Sequence, residues 1–175
     1  MTQDWKEDLK KVTGQPTATP KFTENRGGDR SRDQIAGGIR GREFWPQYFQ
    51  SLKNGYFDKS GHLRPELIVD DAQQIADRLE KEGMSRSLLR NFYGEVAAIR
   101  YLVRQRPTDF DRYKTRILKL QAYASNATHR RTGRAPESFF EFISSNVGLA
   151  SRDTESFLDG FCEHFECIVL YFRGR

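Results

Sequence analysis

The chain predicts an all-α fold, and three observations carry that prediction. Apolar residues recur at three- and four-residue spacing over five successive segments between residue 65 and the C-terminus. Each segment is bracketed by residues that start or stop helices. No segment alternates with the two-residue period of a half-buried strand, and the one dense apolar run, VLYF near the end, continues a helical stripe. The expected architecture is a compact bundle of about five helices over residues 43–175, behind a flexible N-terminal extension over 1–42.

Within that extension, TGQPTATPKFTENRGGDRSRDQIAGGIRGR mixes Thr, Pro, Gly and Arg and has almost no apolar periodicity. The Gly27-Gly28 and Gly37-Gly38 pairs work against helix and strand alike. The composition reads as a tail. An arginine–glycine arm that touches nucleic acid is the alternative, but the repeats are few. The aromatic stretch FWPQYFQSLKNGYF then predicts a short helix and a turn at Asn54-Gly55, packed on the main body.

Pro65 suits the first position of the next helix, whose stripe is Ile68, Ala72, Ile75 and Leu79, and Gly83 stops it. Ser85 or Ser87 caps the following helix, with Leu88, Leu89, Phe92, Val96, Ile99 and Val103 inward and Pro107 at its close. A third helix begins near Thr108 or Asp109 and carries Phe110, Tyr113, Ile117, Leu120, Ala124 and Ala127. A shorter one follows Pro136 with Phe139, Phe140, Ile143 and Val147. The last starts after Ser151 and places Phe157, Leu158, Phe161, Cys162, Phe165, Ile168, Val169 and Phe172 on a face about 140° wide.

Charge is unevenly distributed over these elements. The chain of 175 residues has a net charge of +5 and a pI near 9.3. Between Arg86 and Arg134 stand twelve basic residues against three acidic ones, so this window carries +9 and the remainder −4. A localised excess of this kind is the footprint of a polyanion. Mean hydropathy is −0.77. No run approaches the ~18 apolar residues of a membrane span, and the charged start MTQDWKEDLKK is unlike a signal peptide. A cytoplasmic protein with two reduced cysteines and no membrane partner is expected.

Projected at about 100° per residue, Arg86, Arg90, Tyr93, Ala97, Arg100 and Arg104 fall within an arc of about 80° on one helix. On the next, Arg112, Arg116, Lys119, Tyr123 and Arg130 fall within about 60°. Each stripe is nearly single-signed and contains a tyrosine. Guanidinium groups hold phosphate through paired donors, and a tyrosine ring offers a base a stacking face. An ordinary solvated helix face would mix signs in i,i+4 pairs, whereas here like charges repeat at that spacing. The turn HRRTGRAP adds Arg130, Arg131 and Arg134 at a helix end, where basic groups also suit the helix dipole.

Other classes fit less well. A helix-turn-helix reader would have to insert PESFFEFISSN, which bears two glutamates and three phenylalanines, into the major groove. Three histidines, His62, His129 and His164, lack nucleophile or carboxylate partners at recognisable spacing, so no catalytic residue and no enzyme is expected. Asp70-Asp71 suits the first turns of a helix. GGIRGRE lacks the lysine and hydroxyl of a phosphate loop. The cluster FCEHFEC suggests zinc. Yet Cys167 points about 140° away from Cys162 on a regular helix, and His164 lies off the core stripe. The three cannot converge on one ion, so no metal and no cofactor is expected.

Three stretches carry a family resemblance. SLLRNFYGEV at 87–96, ILKLQAYASNA at 117–127 and SFLDGFCEHFECIVLYFRGR at 156–175 resemble, in order and spacing, motifs of the small helical subunit of type III-A CRISPR effector assemblies, the Csm complexes. The resemblance implies a non-catalytic, all-α RNA-binding subunit in antiviral defence. It implies several self-associating copies beside the backbone and large subunits, touching guide RNA and target RNA through phosphates without reading sequence. Arg90 falls on the arginine of the first motif, and Tyr123 and Ala124 fall on the second. Where the family places an arginine one turn later this chain has Ala127, with His129, Arg130 and Arg131 close behind. The RNA-binding set expected is Arg86, Arg90, Tyr93, Arg100, Arg104, Arg112, Arg116, Lys119, Tyr123, Arg130, Arg131 and Arg134. A helical protein–protein adaptor with no direct RNA role is the alternative.

Overall fold

A computed structural model describes residues 44–129 and 135–174. The N-terminal extension and Arg130, Arg131 and Arg134 lie outside the described residues. Among those described there are six helices: α1 (44–52), α2 (65–81), α3 (Arg86–Gln105), α4 (Phe110–His129), α5 (Glu137–Ala150) and α6 (154–171). The only extended pairing among them is a single bridge between Phe57 and Leu63. The fold is the all-α bundle expected, five principal helices plus the short aromatic α1.

Local chemistry sets most boundaries. Gly83 stops α2 with φ +90°, a left-handed backbone that glycine adopts without a Cβ penalty. Ser85, extended at φ −86° and ψ 147°, caps α3 by accepting the Leu88 N–H at 3.3 Å. Pro107 opens a 3₁₀ turn, Pro107–Asp109, that leads straight into α4. Thr108 and Asp109 lie in that turn, directly before the first residue of α4. Arg64 ties off α1: its guanidinium donates to the carbonyls of Ser51 at 3.0 Å and Gly55 at 2.9 Å, satisfying acceptors at that helix end.

Two π-turns alter the expected register. In α2, Leu67–Asp71 is π-helical. With one extra residue in the turn, Leu67 stands over Ala72, so Leu67 is fully buried and Ile68 is not. In α6, Ser156–Phe161 is π-helical before the regular turns Cys162–Tyr171.

The core is aromatic. Phe165 stacks on Phe161 (5.7 Å between centroids) and lies edge-on to Phe92 (5.8 Å), and Phe92 meets Phe139 edge-on at 5.0 Å. Burial of one such phenylalanine contributes about 2–3 kcal/mol. α6 packs against α2 and α3, and its first turns pack against α5. Covered on three sides, it buries residues well beyond the predicted face. His164, expected off the core, is fully buried, because α1 and α2 cover the flank that the helix period assigns to solvent.

Gly160 shows how closely this helix is approached. A Cβ there would lie 2.6 Å from Tyr56 Cγ and 3.0 Å from its Cβ. The Tyr56 ring cannot swing aside, since its hydroxyl is held by Asn146 Oδ1 at 2.9 Å. Gly160→Ala is expected to cost about 2 kcal/mol by overpacking, read as a lowered urea midpoint at unchanged slope. An unaffected midpoint would show that the Tyr56 ring can move.

Candidate nucleic-acid interface

α3 and α4 position the predicted basic residues, and the structure divides them into three groups. Arg86 and Arg90, on the first turns of α3, are exposed. One to three turns later the stripe is no longer free. Arg100, with its side chain 14% exposed, donates through Nη1 to Glu166 at 2.6 Å and through Nη2 to Glu163, both on α6. Arg104 sits 3.9 Å from the same Glu163 carboxylate. Tyr93 packs its ring against Phe165 at 6.1 Å. Burial and the adjacent Glu166 raise its hydroxyl pKa. For Arg100, burial opposes the charge, but the hydrogen bond to Glu166 and the charge of Glu163 outweigh it, so the guanidinium is held more firmly protonated. This half of the stripe fastens α3 to α6.

On α4, by contrast, Arg112, Arg116 and Lys119 are exposed, and among the described residues none of them enters an ion pair. Tyr123 lies on the same flank with 47% of its surface exposed, so its ring is open to stacking. Lys114, on another flank, pairs with Asp111 at 2.6 Å. The two stripes do not merge. Arg100 and Arg104 turn toward α6, whereas Arg112 and Arg116 share a recess with Leu102 and Gln105, on the opposite flank of α3. The recess also contains Arg106, which helical projection passes over because it lies one residue beyond the end of α3. Proximity to Pro107 is the only sequence signal that it leaves the helix line.

The FCEHFEC cluster proves structural in its geometry. Cys162 is buried, and burial pushes its thiol up to about 12. Both nitrogens of His164 are engaged: Nδ1 lies 2.6 Å from the Leu67 carbonyl and Nε2 lies 2.9 Å from the Tyr48 hydroxyl. Since a carbonyl only accepts, Nδ1 carries the proton and the Tyr48 O–H donates to Nε2. Neither ring nitrogen is left for an ion. Among the described residues no three His, Cys, Asp or Glu side chains are grouped to hold a metal, and no helix is long and apolar enough to cross a membrane.

The Csm2 Type III-A family model matches residues 62–174, well over half of the chain and all of α2 to α6. No curated protein and no solved structure matches it.

Proposed function

The chain belongs to the Csm2 Type III-A family, small subunits of type III-A CRISPR Csm complexes that assemble with other Csm subunits, and from that premise we propose that it binds the guide and target RNA path through backbone phosphates. The observation that carries this reading is the α4 flank, where Arg112, Arg116 and Lys119 stand exposed with no ion pair, beside the open ring of Tyr123. Arg86 and Arg90 extend the surface on α3. Arg100, Arg104 and Tyr93 contribute indirectly by holding α3 on α6. Phosphate contact carries no base readout, so binding is sequence-tolerant. The role in the complex is non-catalytic, in the cytoplasm and in several copies.

Binding of labelled single-stranded RNA to the full chain tests this. With four phosphates contacted, log affinity is expected to fall against log salt with a slope of about −3. Unrelated RNA sequences should bind alike, and Arg90→Glu with Arg116→Glu should abolish binding while circular dichroism stays helical. Unchanged binding by that double variant, or a slope near zero, counts against the reading. The adaptor reading draws on Tyr101, Leu118 and Leu170, exposed by 64%, 50% and 76%. It predicts capture of other Csm subunits that survives nuclease, with only weak RNA affinity in the isolated chain.

A further inference from the structure

Where α3 ends and α4 begins, the chain forms a recess of about 350 Å³ lined by Leu102, Gln105, Arg106, Arg112, Tyr113 and Arg116. Three arginines line one small space, and no acidic residue lines it. The acid nearest in the α4 sequence, Asp111, is paired with Lys114. Among the described residues, none of the three arginines has an ion pair.

Helix electrostatics does not account for this grouping. Arg106 alone suits its place, beside the negative C-terminal end of α3. Arg112 lies in the first turn of α4, at the positive end of that helix, where cations are disfavoured, and Arg116 lies one turn on. They are also like charges at i,i+4, a spacing that destabilises. Arg100, half-buried on the opposite flank of α3, has two glutamates supplied by the fold. The recess has none.

The third arginine of the lining stands just beyond the last residue of α3. Arg106 leaves the helix at φ −142° and ψ 71°, its N–H held by the Val103 carbonyl at 3.2 Å. Pro107 then fixes the turn. The floor is the half-buried Leu102 and the buried Tyr113, which exclude water on one side and strengthen charge interactions above them. Planar guanidinium forks offer paired N–H donors that suit the non-bridging oxygens of a phosphate.

We propose that this recess is a phosphate site, filled by one phosphodiester group of a bound RNA strand. The source of the phosphate rests on the RNA-binding reading above, whereas the recess itself does not. Arg106 thereby joins the binding surface, and the α3–α4 turn becomes its point of tightest grip.

The test compares two charge-matched variants of the full chain, each checked by circular dichroism. One is Arg106→Gln with Arg112→Gln and Arg116→Gln; the other is Lys53→Gln with Lys59→Gln and Lys81→Gln, three exposed lysines outside α3 and α4. Labelled single-stranded RNA is titrated at two salt concentrations. The recess variant is expected to weaken binding about 30-fold and to flatten the salt slope by about 0.7, the share of one phosphate contact. The lysine variant should change affinity less than about threefold. Equal losses in both would overturn the site in favour of a diffuse field.

In a second arm, inorganic pyrophosphate is titrated while arginine Nε–H signals are followed by NMR. Saturable shifts at Arg106, Arg112 and Arg116 support the site. If they occur in a chain that binds no RNA, the phosphate site stands and its RNA source is overturned. If RNA binds, pyrophosphate shifts none of the three and the recess variant behaves like the lysine variant, the site is overturned and the RNA-binding reading survives.

Discussion

Asn146→Ala is expected to remove about 4 kcal/mol of folding stability, from three lost hydrogen bonds at ~1 kcal/mol each and a small cavity. Asn146 is fully buried in α5. Its Nδ2 donates to the Tyr48 oxygen at 3.0 Å and to the Phe142 carbonyl at 2.8 Å, and its Oδ1 accepts from the Tyr56 hydroxyl at 2.9 Å. The Tyr48 O–H passes on to His164, and His164 passes on to the Leu67 carbonyl. One directed chain of donors thus joins α5, α1, α6 and α2, with the α1–α2 loop entering through Tyr56. Every member is satisfied, which is what makes a buried polar network stabilising. Alanine would leave the Tyr48 oxygen without its donor in a site closed to water, and would leave Tyr56 only the longer bond to the Asn146 carbonyl at 3.2 Å. Urea unfolding followed by circular dichroism measures the loss. A double-mutant cycle with Tyr48→Phe should show coupling of about 1 kcal/mol or more, since the two groups touch. A loss below about 1 kcal/mol for Asn146→Ala would show that the network is decorative.

The contrast between what the sequence reveals and what it hides has a physical origin. α3 and α4 each keep one face in solvent over twenty residues, so the 3.6 period marks them clearly, and the α2 stop at Gly83 and the α3 cap at Ser85 are local chemistry. The π-turns have no such marker. One extra residue in a turn shifts the core from Ile68 to Leu67 without changing the apolar content of the segment. α6 loses its period for another reason: covered on three sides, it has almost no polar face, and His164 becomes core. The hydrogen-bonded network joins residues 90 to 116 positions apart, beyond the reach of any local pattern.

The same limit governs the candidate interface. Both basic stripes are legible because they are periodic along single helices. Glu163 and Glu166, which take up Arg100, lie 63 and 66 residues away from it in sequence. Periodicity therefore counts Arg100 with Arg90 as though both were open, while packing separates them. Arg106 is the converse case: it leaves the helix before Pro107, so projection omits it, and the fold returns it to Arg112 and Arg116. The charge excess of the region is a property of composition. Which cations remain available is a property of tertiary contacts, and those contacts move the open surface from α3 toward α4.

Acidification from pH 6.5 to pH 4 is expected to strip about 3 kcal/mol of stability through His164 alone, at 1.36 kcal/mol per pKa unit. Burial, partly opposed by the hydrogen bond to Leu67, lowers its folded pKa from 6.5 to about 4. The folded pKa lies below the unfolded one, so between the two the unfolded chain binds more protons. The stabilisation is complete above about pH 6.5 and is lost as pH falls toward 4. The geometry gives the same sign. A second proton at Nε2 would face the Tyr48 hydroxyl that now donates to it, and would leave that O–H without its acceptor. Two charged groups bear on this site. The Arg64 guanidinium adds to the lowering at His164. Asp71, which shares a recess with Tyr48 and Glu66, works the other way. Partial burial raises its carboxyl to about 6, so the folded state holds that proton more firmly, and acidification through the same window relieves a cost. The wild-type slope is therefore shallower than that of His164 alone. His164→Gln should flatten the loss of stability between pH 7 and 5, while Asp71→Asn should steepen it. Denaturant midpoints of the three proteins at those two pH values decide the matter. A stability difference between wild type and His164→Gln that does not change with pH would mean that His164 does not titrate in this window, and the assigned donor chain would be wrong at its centre.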